Sequence, residues 1–431
     1  MVTVSFEYLF AGLFALIVFV FLFIKIKYPF WNIQPVLHTY SRWFTWSSEP
    51  YIAHMFPHRT KYVVSDPLLM TTSRYEQLST DDRKSVIHLL QSNYIPSDRI
   101  FSSIEDSALR PHFVGKSMVT IMKMPVYVTG AHDASYSSTI SFVSSRGVKV
   151  WTKTKGTEID AYFFDYFCLY RHIKNAKTAA YQLFQTHEWN QRISDRNVQV
   201  SAFRKDVNLC DGVVPLVKFK SATFALRNLK IEALSDGFQL KLVRANSNMH
   251  FVQDFIDMFG SGQLNSAFDA AIYIEKPAIY ELVLTRQLFI GALVKKDQLF
   301  GLYFVKNANI KYDELEDVSH AGGDTLHLVA SFRNTELDGL FYLGFLHFMR
   351  EIMKDRSTTF VSGNKDKPNR VQATKERFGI IMMDAIGHSI SIVDQWNAQH
   401  AAMVNVDSAY YLYNYLWSGA PVHPGNGFFL L

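Results

Sequence analysis

The first hydrophobic stretch of this chain has no period at all. Tyr8 to Ile24 reads YLFAGLFALIVFVFLFI, uncharged throughout, with Glu7 before it and Lys25 and Lys27 after. A helix of that length crosses the hydrocarbon core of a bilayer. A cleaved signal peptide is the rival reading, but no basic region precedes the run and no A-x-A site follows it. The lysines on the carboxyl side predict a single-pass membrane protein with its body in the cytosol. Tyr28 to about Thr60 then forms an aromatic arm carrying Trp31, Trp43 and Trp46, in which Pro29 and Pro35 favour extended backbone.

Periodicity sets in after the arm. Ser79-Thr80-Asp81-Asp82 caps a predicted helix whose Val86, Leu89 and Leu90 share one stripe. Met118 to Met122 and Val126 to Val128 read as strands, and Ile140 to Val143 with Val148 to Trp151 as a hairpin around Arg146-Gly147. Tyr162 to Leu169 is a strand and Ala176 to Glu188 a helix. The order then repeats. Lys241 to Val243 is a strand, and Ser247 caps a helix through Phe259. Leu288 to Val294 and Leu299 to Val305 form a hairpin around Lys296-Asp297. Strand Thr325 to Phe332, helix Leu340 to Met353 and strand Thr359 to Val361 follow. The pattern predicts two mixed α+β domains of one architecture, 28–225 and 226–431, behind an anchor at 1–27. No linker rich in Gly or Pro divides them, which leaves room for one continuous sheet.

Composition narrows the function. Hydrophobic residues make up 48% and charged ones 19%, which excludes general disorder. The 35 Phe and 22 Tyr suffice to line a long apolar cavity as well as fill two cores. A net charge of +5, scattered along the chain, gives no argument for nucleic acid as a partner. Cys168 and Cys210 are the only cysteines, so a reducing compartment is expected. With no HExxH, CxxC or EF-hand pattern, no metal is expected.

Two stretches carry candidate chemistry. The carboxyl end runs Tyr410-Tyr411-Leu412-Tyr413-Asn414-Tyr415 and closes on Gly427-Phe428-Phe429-Leu430-Leu431. A solvated tail is polar, so this end is expected to be buried, with a free α-carboxylate inside the fold. The second stretch runs from Phe164-Asp165-Tyr166-Phe167-Cys168 through Lys174-Asn175-Ala176-Lys177-Thr178-Ala179. A strand leading through a basic turn into a helix offers free N–H groups and a positive dipole end to a pyrophosphate. By the pattern alone, an ordinary strand-to-helix junction with solvated lysines is the better fit. Arg110 reads as a structural ion-pair partner.

Beside these readings, four short motifs resemble the N-myristoyltransferase family. Phe30-Trp31-Asn32-Ile33-Gln34-Pro35-Val36 is similar to its FWxTQPV, Ala108-Leu109-Arg110-Pro111 to its ALRP, and Phe164 to Ala180 to its NFLCVHKKLRSKRxAP. Tyr410 to Asn414 matches its YYLYN, and all four are collinear. The resemblance implies two tandem GNAT-like domains in pseudo-twofold relation. It further implies transfer of myristoyl from myristoyl-CoA, a co-substrate with no permanently bound cofactor, to the N-terminal glycine of protein partners. On that match the Tyr166 and Phe167 N–H groups form the oxyanion hole and the Leu431 carboxylate is the base. Phe30, Trp31, Lys174, Asn175, Ala176, Lys177, Thr178 and Ala179 bind acyl-CoA. The peptide side departs from the family. Its HRxLN region survives at best as Arg204 to Asn208, its loop is shortened between Phe101 and Ala108, and Met382 to Val406 has no counterpart. A non-catalytic membrane module that binds acyl-CoA or acylated proteins, and a GNAT enzyme with a shifted donor or acceptor, are the alternatives.

Overall fold

The computed structural model describes residues 6–41, 49–57, 59–95, 97, 100–127, 135–226, 229, 231–235, 237–312, 324–334, 336–355, 378–417 and 421–431. Phe6–Lys27 is a helix, and its stretch Tyr8–Lys27 has a mean hydropathy of 2.8 with no part buried against the protein. It is long and apolar enough to cross a membrane.

The body is built on one large mixed sheet with helices on both faces, and a separate two-stranded sheet pairs Tyr51–Ile52 with Tyr415–Leu416. In the amino half, Met70–Ser73 precedes helix Thr80–Asn93, and antiparallel strands Ser117–Tyr127, Ser135–Thr152 and Glu158–Leu169 lead to helix Ala176–Ser194 and strand Val200–Asp206. The Ser79 hydroxyl accepts the Asp82 N–H at 3.0 Å and so caps the first helix. Phe142 faces the cluster under that helix and Val143 the cluster under Ala176–Ser194, so the two helices lie on opposite faces.

The carboxyl half repeats the plan. Phe238–Val243 precedes helix His250–Gly260, and strands Leu288–Lys295, Gln298–Tyr312 and Asp324–Arg333 lead to helix Asp338–Asp355 and strand Ile380–Asp384. Each half therefore ends in a parallel pair, Ala161–Phe164 with Val200–Phe203 and Thr325–Leu328 with Ile380–Met383. This is the tandem α+β architecture expected from the repeat.

The halves exchange strands. Val217–Ala225, from the amino half, pairs with Ile380–Asp384, and Val404–Tyr413, from the carboxyl half, pairs with Val200–Asp206. The two exchanged strands also pair with each other, making the sheet continuous. The last strand, Gly427–Leu430, runs parallel to Ala270–Ile274, which borders Val148–Thr152. Gly387 sets its start, because a Cβ there would lie 2.4 Å from the Gly427 carbonyl oxygen.

Two sequence expectations need correction. Arg146-Gly147 is not a turn, since Ser135–Thr152 is one strand. Gly147 is there for close approach: its N–H donates to the Lys116 carbonyl at 2.6 Å, and a Cβ would lie 3.1 Å from that of Lys116. Ser247 is not a cap either. It pairs with Arg244 in a tight turn, Asn248 takes a φ of 63°, and the helix begins after Met249. The expected turn at Lys296-Asp297 has positive φ at both residues, the geometry of a type I′ hairpin. Val128 and strand Thr359 to Val361 lie outside the described residues.

Candidate active site

Strand Glu158–Leu169 carries the local irregularity that defines the site. Phe142 faces Cys168 and Ser144 faces Asp165, so Val143 alone stands opposite both Tyr166 and Phe167. The extra residue makes a β-bulge, and Tyr166 sits at a left-handed φ of 49°. Strain of this kind, about 1–3 kcal/mol, is held in place only by its surroundings. Immediately before the bulge, parallel pairing with Val200–Asp206 stops at Phe164–Phe203 although both strands continue. The strands part where the bulge begins.

Charged groups from distant parts of the chain surround this point. The Tyr166 N–H donates to the Asp165 carboxylate at 3.0 Å, and that carboxylate pairs with Arg146 at 3.3 Å. Arg146 is 3% exposed, and its Nη1 lies 3.1 Å from His112 Nδ1. Burial, then the Arg146 and Lys306 charges, keep His112 well below its ordinary pKa, so the neutral ring accepts from Arg146. Half-buried Lys306 places its Nζ 3.2 Å from an oxygen of Leu431. Burial pushes this lysine down to about 8, against the pull of Asp165.

A second ionic group lies beside the first. Asp384 is fully buried and accepts two hydrogen bonds from Arg204, at 2.6 and 3.2 Å, with His327 Nε2 at 3.0 Å. Burial raises the Asp384 pKa, yet Arg204 and His327 hold it far below the ordinary carboxylate range. Arg204 also covers the rings of Phe219 and Tyr410, at 5.2 and 6.0 Å. Lys306 feels the charges of Asp165, Arg146, Arg204 and Asp384 together.

The candidate residues fall into two groups. Leu431 is 6% exposed, and Phe428 and Phe429 are buried beside it, Phe429 stacked on Tyr410 at 4.6 Å. Lys306 touches Leu431 and feels the charge of Asp165, the residue that begins the Tyr166–Phe167 bulge. The second group lies around helix Ala176–Ser194. Lys174, Asn175, Ala176, Lys177 and Thr178 are exposed and Ala179 is buried. Asn175 precedes the helix at φ 56°, with no side-chain cap and no acidic residue in the first turn. Phe30 stacks on Tyr181 at 4.1 Å, Trp31 on Phe203 at 5.8 Å, and Lys177 lies 6.0 Å from the Tyr181 ring. Arg110 forms a solvent-facing ion pair with Asp106.

Two of the sequence motifs turn out to hold each other. The Tyr413 hydroxyl donates to Gln34 Oε1 at 2.7 Å, and the Asn414 N–H to the Pro35 carbonyl at 2.7 Å. Asn414, fully buried at φ 61°, also straps His54 and Gln199. The arm after the apolar helix is thereby fixed to the strand that crosses between the halves.

No family model matches this sequence, and no curated protein matches it. Solved structures do. N-myristoyltransferase of Saccharomyces cerevisiae with bound myristoyl-CoA superposes with a TM-score of 0.63 over 93% of this chain and 90% of that one, at 10% identity. The same yeast enzyme with myristoyl-CoA and inhibitors gives 0.60 over 94% and 95%, again at 10% identity. The fold is that of an N-myristoyltransferase. Within the N-myristoyltransferase fold of this chain, sequence reasoning missed Asp165, Arg146, His112, Lys306, His327 and Asp384 as one ionic cluster. The available signal was charge inside otherwise apolar strands, such as Lys306 after Gly301-Leu302-Tyr303-Phe304-Val305.

Proposed function

We propose that the chain is an acyltransferase that moves myristoyl from myristoyl-CoA to the N-terminal glycine amine of proteins. The observation that carries the reading is the burial of Leu431 against Lys306, in electrostatic reach of the residue that begins the bulge. In this reading the Tyr166 and Phe167 N–H groups hold the thioester oxygen as it becomes an oxyanion, worth ~3 kcal/mol per donor. The glycine amine, freed once its ammonium has given up one proton, attacks the thioester carbon. The C–S bond breaks, and the coenzyme A thiolate leaves and takes up the second proton from the nitrogen as the amide forms. The proton lost by the ammonium passes to the Leu431 carboxylate. An α-carboxyl is a weak base, ordinarily near ~3.5, so burial among Phe428 and Phe429 serves to desolvate it.

The open helix start at Asn175 to Thr178, with Lys174 and Lys177, takes the pyrophosphate. Phe30 and Trp31 hold the arm over the donor. An apolar tunnel supplies ~0.8 kcal/mol per buried methylene, roughly 10 kcal/mol for the whole acyl chain before ordering costs. Phe6–Lys27 tethers the enzyme to a membrane with the body on the cytosolic side, where a singly acylated product binds only marginally.

A second reading, a non-catalytic module that binds acyl-CoA, draws support from one observation. The Asp165 carboxylate already takes the Tyr166 N–H. The deciding experiment offers the full chain in detergent micelles myristoyl-CoA and a panel of Gly-initiated peptides. Amide formation at the glycine amine supports the enzyme; bound myristoyl-CoA without product from any peptide supports the module. Acylation of lysine instead identifies an enzyme with a shifted acceptor.

A further inference from the structure

We propose that Lys306 holds, in the empty protein, the place of the acceptor's ammonium, and that an incoming N-terminal amine binds by displacing it from the Leu431 carboxylate. The inference rests on the acyl-transfer reading above, with Leu431 as the end of the chain, and names a specificity device within that site.

Charge balance sets the starting point. A buried carboxylate needs a counter-ion, and the structure supplies one from within: Lys306 Nζ lies 3.2 Å from the Leu431 oxygen. Around it, Arg146 pairs with Asp165 and Arg204 with Asp384, while burial holds His112 and His327 toward the neutral form. Each carboxylate of the cluster is therefore matched before any substrate arrives. A glycine ammonium entering this site brings a second cation to a carboxylate that already has one.

Lys306 is placed to give way. It is half-buried on strand Gln298–Tyr312, opposite His327, and Asp165 lies within its electrostatic reach as an alternative partner. Burial has already brought its pKa down to about 8, so shedding its proton is easier than for an ordinary lysine. The glycine ammonium and the lysine ammonium have the same charge and the same three donors, so one replaces the other without changing the carboxylate's hydrogen bonding. An acceptor with a blocked amine cannot make that exchange. Lys306 is thus a positioning residue that makes occupation of the site conditional on a free amine.

The test is equilibrium binding to the full chain in detergent micelles, saturated with a non-transferable thioether analogue of myristoyl-CoA. A Gly-initiated hexapeptide is compared with the same peptide N-acetylated, on wild type, Lys306→Met and Lys306→Arg. Lys306→Met is expected to bind the free-amine peptide about tenfold more tightly and to leave the acetylated peptide unchanged. Lys306→Arg, which keeps a competing cation, is expected to show no gain. Equal gains for both peptides, or no gain for the free amine, overturn the proposal, as does failure of the wild type to bind the free-amine peptide. Turnover by all three proteins without the affinity difference removes this inference and leaves the acyltransferase standing. A Lys306→Met chain that does not fold is replaced by Lys306→Gln, read by the same criterion.

Discussion

Phe164 and Phe203 end the parallel pairing in the amino half, as Leu328 and Met383 do in the carboxyl half. Past these residues the two halves diverge. Beyond Phe164 the strand bulges at Tyr166, turns Phe167 to 38% exposure and runs on to a helix start without an acidic cap. Beyond Leu328 the strand also bulges, with Val329 as the extra residue between Leu328 and Ala330, but it stays buried through Phe332. Phe332 packs on Phe255 at 4.6 Å while Phe268 meets Phe428 and His388 at 5.6 and 4.9 Å. The same topology leaves Phe167 and the helix start exposed in one half and is filled by aromatic rings in the other. The filled half delivers Gly427–Leu430 and Lys306 to the open one. In the acyl-transfer reading, one repeated plan supplies both the reaction surface and its rigid support.

This division of labour predicts that changes near the bulge move turnover and changes near Asp384 move stability. The largest effect is expected from adding two alanines after Leu431. Loss of the proposed base lowers kcat by about 10²–10⁴, with myristoyl-CoA affinity retained in a binding assay. An extended chain of undiminished kcat breaks the comparison. Arg204→Met leaves Asp384 buried without its bidentate partner and costs about 3–5 kcal/mol in denaturant unfolding, far more than any change in donor affinity. Lys174→Ala with Lys177→Ala raises KM for the acyl donor about three- to tenfold at low salt, without moving the unfolding midpoint, and 1 M salt erases the difference.

The smallest effect is a pH dependence. Burial lowers Lys306 from its ordinary value to about 8, so between pH 8 and about 10.4 the unfolded chain holds the proton that the folded chain has lost. The cost of burying this ammonium is fully present below pH 8 and relieved as pH rises through that window. Wild type should therefore gain stability relative to Lys306→Met from pH 7.5 to 10, read from denaturant midpoints. A constant difference places Lys306 in water.

Local chemistry made much of this fold readable. Ser79 announces its helix by a hydroxyl three residues before a free N–H, and Lys296-Asp297 interrupts two apolar runs where the hairpin turns. Gly147 misled for a physical reason: glycine serves turns and close backbone approach alike, and only the position of Lys116 tells them apart. Ala270–Ile274 was invisible because all five residues are buried, so no alternation marks it. The ionic cluster was hidden differently. Lys306, Asp165 and Asp384 each sit in an apolar strand far apart in sequence, and their relation exists only once the halves have met. Even the motifs at Gln34 and Tyr413 gave no hint that they touch.

The exchanged strands carry a last consequence. A nick between Ala225 and Phe238 gives two fragments, each ending in a ribbon whose partners lie on the other piece. Neither fragment has a complete hydrogen-bonded edge to rest on, so they are expected to misassociate when apart and to regain a native sheet only when mixed. Because Val200–Asp206 waits for a segment about two hundred residues downstream, folding is slow to commit, and the nascent amino half depends on protection until synthesis nears its end.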